Sequence, residues 1–167
     1  MDVSELRECI ERTRMGDKEA FSCLYDELSC PVYTVARRIV HSREIAEDIT
    51  QEVFVRLYVS PPPPSIENPR AWIFRMARNL AIDAWRKKQS ADIDDVQLEE
   101  EDVADAVALR LDTEAAIGCL PTVERQILSL HLDCEMPFRE IAPIVEMSLP
   151  AVYRRYRKAI KILQKLL

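Results

Sequence analysis

Along almost the whole chain apolar residues recur three and four positions apart, the spacing that gathers them on one side of an α-helix. No stretch shows the two-residue alternation of a half-buried strand. Residues 5–15 read as a short helix ended by Gly16, where a left-handed backbone costs little, and Asp17 is placed to cap the next helix. GDKEAFSCLYDELS then turns Ala20, Phe21, Leu24 and Leu28 to one face. Pro31 is expected to break the chain, so that VYTVARRIV forms a separate helix with Val32, Val35, Ala36 and Ile39 inward. From Arg43 to Tyr58 the stripe Ile45, Ile49, Val53, Leu57, with Phe54 beside it, predicts a strongly amphipathic helix. Its other side collects Glu44, Glu47, Asp48, Gln51 and Glu52, either an ordinary solvated face or an acidic surface for a basic partner.

Four prolines, Pro61 to Pro64, end that helix and make a stiff connector. Asn68 can cap the next helix and Pro69 fits its first turn, where a missing N–H removes no bond. In NPRAWIFRMARNLAIDAWRKKQ, the residues Ile73, Met76 or Ala77, Leu80 and Ala84 are expected inward, with Arg75, Asn79 and Arg86 on another face. This is either a solvated helix whose last-turn cations offset the macrodipole, or a nucleic-acid surface on which Trp72 and Trp85 stack bases while Arg75 and Arg78 hold phosphates.

ADIDDVQLEEEDVADAVALR breaks the pattern. It is acidic, lacks aromatics and has no lasting apolar stripe, so it reads as a linker. A second unit follows: a helix after Pro121 with Val123, Ile127 and Leu130 inward, a short one over Phe138 to Val145, and a long last one capped by Ser148. In the last helix Val152, Tyr156, Ala159, Leu163 and Leu166 form the inner stripe, opposite Arg154, Lys158, Lys161 and Lys165. A short helix, a tight turn and a long basic helix make a helix-turn-helix, whose second helix fits a major groove. The expected architecture is all-α: two small helical domains, 1–90 and 112–167, joined by a flexible acidic linker over 91–111.

Composition narrows the chemistry. With 167 residues, 48% apolar and 31% charged, the chain can bury a real core. Two glycines are too few for a glycine-rich phosphate cradle. Five scattered cysteines without a CxxC pair and two histidines make a zinc site improbable and favour buried structural thiols in a reducing cytosol. Neither a signal peptide nor a long apolar span appears, and no catalytic, metal-ligating or cofactor constellation emerges. The net charge of −6 hides segregation: six cations against two acids in 61–90, one against ten in 91–120, and six against none in 148–167.

GDKEAF, AEDITQEVFVRLY, NPRAWIFRMARNLAIDAWRKK, LPTVERQILSLHL and FREIAPIVEMSLPAVYRRYRKAIKIL, in this order, resemble the bacterial sigma-70 family. The short chain is similar to its extracytoplasmic-function group, and the likeness lapses only over the acidic linker. The resemblance implies a non-enzymatic, cytoplasmic promoter-specificity subunit without cofactor or membrane insertion. Its partners would be core RNA polymerase, through the β′ coiled coil and β flap, and promoter DNA, with room for an anti-sigma factor. It implies polymerase docking by Asp48, Gln51 and Glu52, and minus-10 opening and strand capture by Trp72, Arg75, Arg78 and Asn79. Minus-35 reading falls to Tyr153, Arg154, Arg155, Arg157 and Lys158.

The same likeness suggests that the acidic linker occupies polymerase channels meant for nucleic acid. Two departures stand out: Glu146 where the family usually has glycine in the turn, and Pro143 inside the preceding helix. The alternative, a stand-alone helix-turn-helix regulator, accounts for 121–167 but leaves the acidic helix and the Trp72 helix unused.

Overall fold

A computed structural model of the protein describes residues 1–91 and 108–167, and only the backbone of 108–112. Eight helices make up the described residues: α1 Val3–Arg14, α2 Lys18–Val40, α3 Arg43–Val59, α4 Pro69–Ala91, α5 Ala108–Gly118, α6 Thr122–Leu132, α7 Phe138–Val145 and α8 Leu149–Leu166. There are no strands among them. Most of the linker expected over 91–111 lies outside the described residues, as does its suggested role in polymerase channels.

The helix starts follow local chemistry. Asp2 and Glu5 bond each other's backbone N–H, closing a capping box on α1. Asp17 Oδ1 accepts from the N–H groups of Glu19 and Ala20, Asn68 Oδ1 from that of Ala71, and Ser148 Oγ from that of Ala151. Gly16 takes φ +89°, the left-handed turn between α1 and α2.

One expectation is corrected and another extended. Pro31 does not break the chain, because α2 runs through it from Lys18 to Val40. The missing N–H costs about 3 kcal/mol. Leu24, Leu28, Val32, Val35, Ala36 and Ile39 form one buried stripe across it, and each large side chain so buried contributes about 1.5–3 kcal/mol, so packing wins. In α4 the expected Ile73 and Ala77 are fully buried, Met76, Leu80 and Ala84 pack partly buried against the same core, and Phe74 and Ala81 join them as fully buried positions. This helix packs against α2 and α3 and also against α7, which turns its inward arc toward Phe74.

With α1 to α4 taken as the first unit and α5 to α8 as the second, the principal core runs through both. Leu28, Val35, Ile73 and Phe74 belong to the same buried cluster as Ile127, Leu130, Ile141 and Val145. α6 lies between α2 on one side and α7 and α8 on the other, and every residue from Glu124 to Leu130 is buried. Phe74 is among the largest fully buried side chains. Phe74→Ala should therefore lower stability by about 3–5 kcal/mol, read from urea unfolding.

Candidate nucleic-acid interface

On α3, Asp48, Gln51 and Glu52 are all exposed, opposite the buried Ile49, Val53 and Leu57. Glu52 Oε1 accepts from Arg56 Nε at 2.6 Å and Glu47 from Arg43 at 2.9 Å, i,i+4 pairs that stiffen the surface by a few tenths of a kcal/mol. Val55, Tyr58 and Val59 continue this outer face as exposed apolar residues. Phe21 supports it from beneath, edge-on to Phe54 and Tyr58.

The connector is held by α1, which sequence reasoning did not foresee. Arg14 Nη2 donates to the Pro62 carbonyl at 2.6 Å. Arg7 donates to the carbonyls of Pro64 and Glu67 at 3.0 and 2.8 Å. Arg7 and Arg14 stand seven apart on one helical face, which was the only available signal. Together they fix the approach of the chain to Asn68 and hence the start of α4.

The four α4 candidates do not share one environment. Trp72 is partly buried against the core, so much of its indole is committed to packing, and Trp85 is likewise partly buried. Asn79 is exposed. Arg75 is exposed but reaches Glu146 Oε1 at 3.2 Å, and half-buried Arg78 donates through Nε to Gln126 Oε1 at 2.8 Å. Both arginines are thus bonded to residues of the second unit.

In that unit α7, the turn 146–148 and α8 form the expected helix-turn-helix. Glu146 adopts φ 58°, ψ 42°, the left-handed geometry that the missing glycine would have supplied. For a non-glycine residue that geometry costs roughly 1–2 kcal/mol. The exposed Arg75 pair offsets only part of this. Pro143 sits within α7 without ending it.

Tyr153, Arg154, Arg157 and Lys158 are exposed on α8 and Arg155 is partly covered. Phe138 packs against Tyr153 and Tyr156, with ring centroids 4.6 and 4.9 Å apart, and stacks on His131 at 4.1 Å. Tyr153 therefore leans on an aromatic support rather than standing free. Glu124 of α6 takes Arg155 Nη1 at 2.8 Å and Lys158 Nζ at 3.4 Å, tying two of the candidate cations sideways.

Further bonds cross between the units. Arg38 pairs with Glu114 at 2.8 Å and Asp133 at 3.6 Å, and Arg70 Nη2 donates to the Cys134 carbonyl at 2.9 Å. Arg125 Nη1 lies 2.7 Å from His41 Nε2. A guanidinium can only donate, so His41 must accept there as the neutral imidazole. Burial, then the charges of Arg125 on α6, Arg37 on α2 and Lys88 on α4, lower its pKa below the ordinary 6.5.

A lowered histidine pKa means that this contact is fully present above pH 6.5 and is lost as the pH falls through 6.5 toward the lowered value. Acidification should loosen the packing between the units, seen as a rise in hydrodynamic radius only as the pH falls below 6.5, and His41→Gln should flatten that profile.

The expectation for the cysteines needs correction. Cys23, Cys30 and Cys119 are exposed, Cys9 is partly buried, and Cys134 alone among the described residues is buried, its thiol pushed up to about 12 by burial. No cluster of three metal-ligating side chains, and no helix long and apolar enough to cross a membrane, occurs among the described residues.

Residues 24–91 match the model for sigma-70 region 2, and residues 110–163 match that for sigma-70 region 4. The chain belongs to the sigma-70 family, in its extracytoplasmic-function group. It is 28% identical to the ECF RNA polymerase sigma factor SigW of Bacillus subtilis, covering 96% of this chain and 95% of that one. To the ECF RNA polymerase sigma factor SigK of Mycobacterium ulcerans it is 23% identical, covering 98% and 94%.

Its fold is similar to that of CnrH, solved in complex with the cytosolic domain of CnrY, with TM-score 0.73, 23% identity and coverage of 97% and 96%. The sigma factor RpoE of Bartonella quintana, solved with the anti-sigma factor NepR, gives TM-score 0.73, 23% identity and coverage of 87% and 95%. The protein is an RNA polymerase sigma factor of the extracytoplasmic-function type. The region 2 match takes in both the acidic α3 and the basic α4, the parts a stand-alone regulator would leave idle.

Proposed function

We propose that this sigma factor recruits core RNA polymerase through Asp48, Gln51 and Glu52, captures the minus-10 strand with Trp72, Arg75, Arg78 and Asn79, and reads the minus-35 element with Tyr153, Arg154, Arg155, Arg157 and Lys158. The observation that carries the reading is the order of three chemically distinct helical surfaces: acidic on α3, basic with tryptophans on α4, and basic on a helix-turn-helix at α8. An acidic face suits a basic coiled-coil partner. Cations beside partly exposed indoles suit an unpaired strand, and a cationic second helix suits a major groove. The reading makes the protein a cytoplasmic, non-enzymatic subunit whose 91–111 segment links a region 2 domain, 1–90, to a region 4 domain, 112–167. Its relatives were solved with CnrY and NepR, and a comparable anti-sigma partner fits the same surfaces.

Elements centred on minus-10 and minus-35 lie about 25 base pairs apart, roughly 85 Å of B-form duplex. A compact 167-residue chain has a radius of gyration of about 15 Å. The packed arrangement of the two units therefore cannot hold both elements, and it occupies Arg75 and Arg78. It is the resting form; polymerase binding separates the units. Run-off transcription with core polymerase over a promoter library tests the reading. Selective initiation that depends on both elements is expected, and initiation no more selective than that of core polymerase alone would refute it.

A further inference from the structure

Glu124 lies in α6, beneath the helix-turn-helix and outside the surfaces assigned above. Its side chain is 0% exposed, yet it is a carboxylate among Ile127, Leu128 and the rest of a buried helix. Burial alone would push its carboxyl up; the hydrogen bond from Arg155, its own backbone N–H, and the charges of Arg155 and Lys158 outweigh this and hold it below the ordinary carboxylate value. Oε1 takes both α8 cations, at 2.8 and 3.4 Å, while Oε2 is buried without a partner. Stability alone gives little reason for such a group, since an apolar side chain packs at this depth without the cost of desolvating a charge.

The consequence for α8 is a division among its cations. Arg154, Arg157 and Lys161 stand exposed with no carboxylate partner among the described residues, whereas Arg155 and Lys158 share Glu124. Arg155 spends one Nη on Glu124 while its side chain remains 42% exposed, so a fixed guanidinium edge still faces outward. A guanidinium held by a carboxylate has fewer rotamers to lose on meeting a base, which favours directional readout; an untethered cation at the same place answers to any phosphate. The ion pair lies wholly within the second unit, so it persists when the units separate.

We propose that Glu124 is a positioning residue for minus-35 reading, which by anchoring Arg155 and Lys158 makes them contribute to sequence discrimination rather than to uniform phosphate attraction. This rests on the assignment of α8 to the minus-35 element.

The test uses the full chain assembled with core polymerase on promoters that share one minus-10 element and differ at minus-35. Glu124→Gln keeps the shape and an acceptor but not the charge. It should lower the ratio of initiation on the best to a scrambled minus-35 element by ~10-fold, as for the loss of one good base contact. It should also steepen the log-log salt dependence by about one to two, as released cations find phosphates. Leu128→Ala removes apolar packing from the same helix without touching the ion pair, and should reduce thermal stability while leaving ratio and slope unchanged.

Glu124→Gln behaving like Leu128→Ala would overturn the proposal, as would a Glu124→Leu protein equally selective and more stable. An intact protein indifferent to minus-35 would sink the α8 assignment and this inference together; an intact protein that discriminates, beside an unaltered variant, sinks only the inference.

Discussion

Asp48→Arg should abolish promoter-directed transcription while leaving the fold intact. Asp48 is exposed on α3, away from the buried Ile49 and Val53, so the substitution creates no cavity and buries no charge, and stability should move by no more than about 0.5 kcal/mol. An arginine there can pair with Glu44 or Glu52, four residues to either side. On the proposed docking face the expected effect is of another order. Reversing a charge against a basic partner costs several kcal/mol, so affinity for core polymerase should fall by about a hundredfold or more. Co-elution with core polymerase and run-off transcription measure this; normal co-elution of a folded Asp48→Arg protein would remove α3 from the interface.

Gln126→Arg should open the packed arrangement of the two units. Gln126 is 3% exposed and accepts the Arg78 Nε–H from across the boundary between the units. An arginine there meets a half-buried guanidinium, and leaving a buried charge uncompensated costs about 3–5 kcal/mol. Separation of the units lets water solvate both cations, so the cheaper response is opening rather than unfolding. Small-angle scattering should show a larger radius of gyration, circular dichroism an unchanged helix content, and the polymerase-free protein about tenfold tighter promoter binding, since Arg75 and Arg78 are freed. Adding Arg78→Glu should restore compactness by supplying a counter-charge. A Gln126→Arg protein as compact as the parent would mean that Arg78 and Gln126 contribute little to closure.

The Glu146 turn shows how these effects meet. A glycine would relax the left-handed geometry, but it would also remove the partner of Arg75. The sequence departs from its family's habit at a residue that faces α4, and that contact is visible only once the units are packed.

Much was legible beforehand because the deciding forces are local. Asp17, Asn68 and Ser148 cap helices through bonds two or three residues long, and stripes such as Ile49, Val53, Leu57 need only helical periodicity and the preference of apolar groups to leave water. The order of acidic, tryptophan-bearing and basic helices, and with it the family, also follows from position along the chain alone. Pro31 departs from the local expectation because the burial that spans it outweighs the local penalty.

What only the tertiary structure decided lies where partners are far apart in sequence. Arg14 on the Pro62 carbonyl, Arg78 on Gln126, His41 on Arg125 and Arg155 on Glu124 span from 31 to 84 residues. Periodicity says which face of a helix is polar; it carries no information about which distant polar group will meet that face. An arginine free to hold a phosphate and one already held by a buried carboxylate look alike in the sequence, and packing alone separates them.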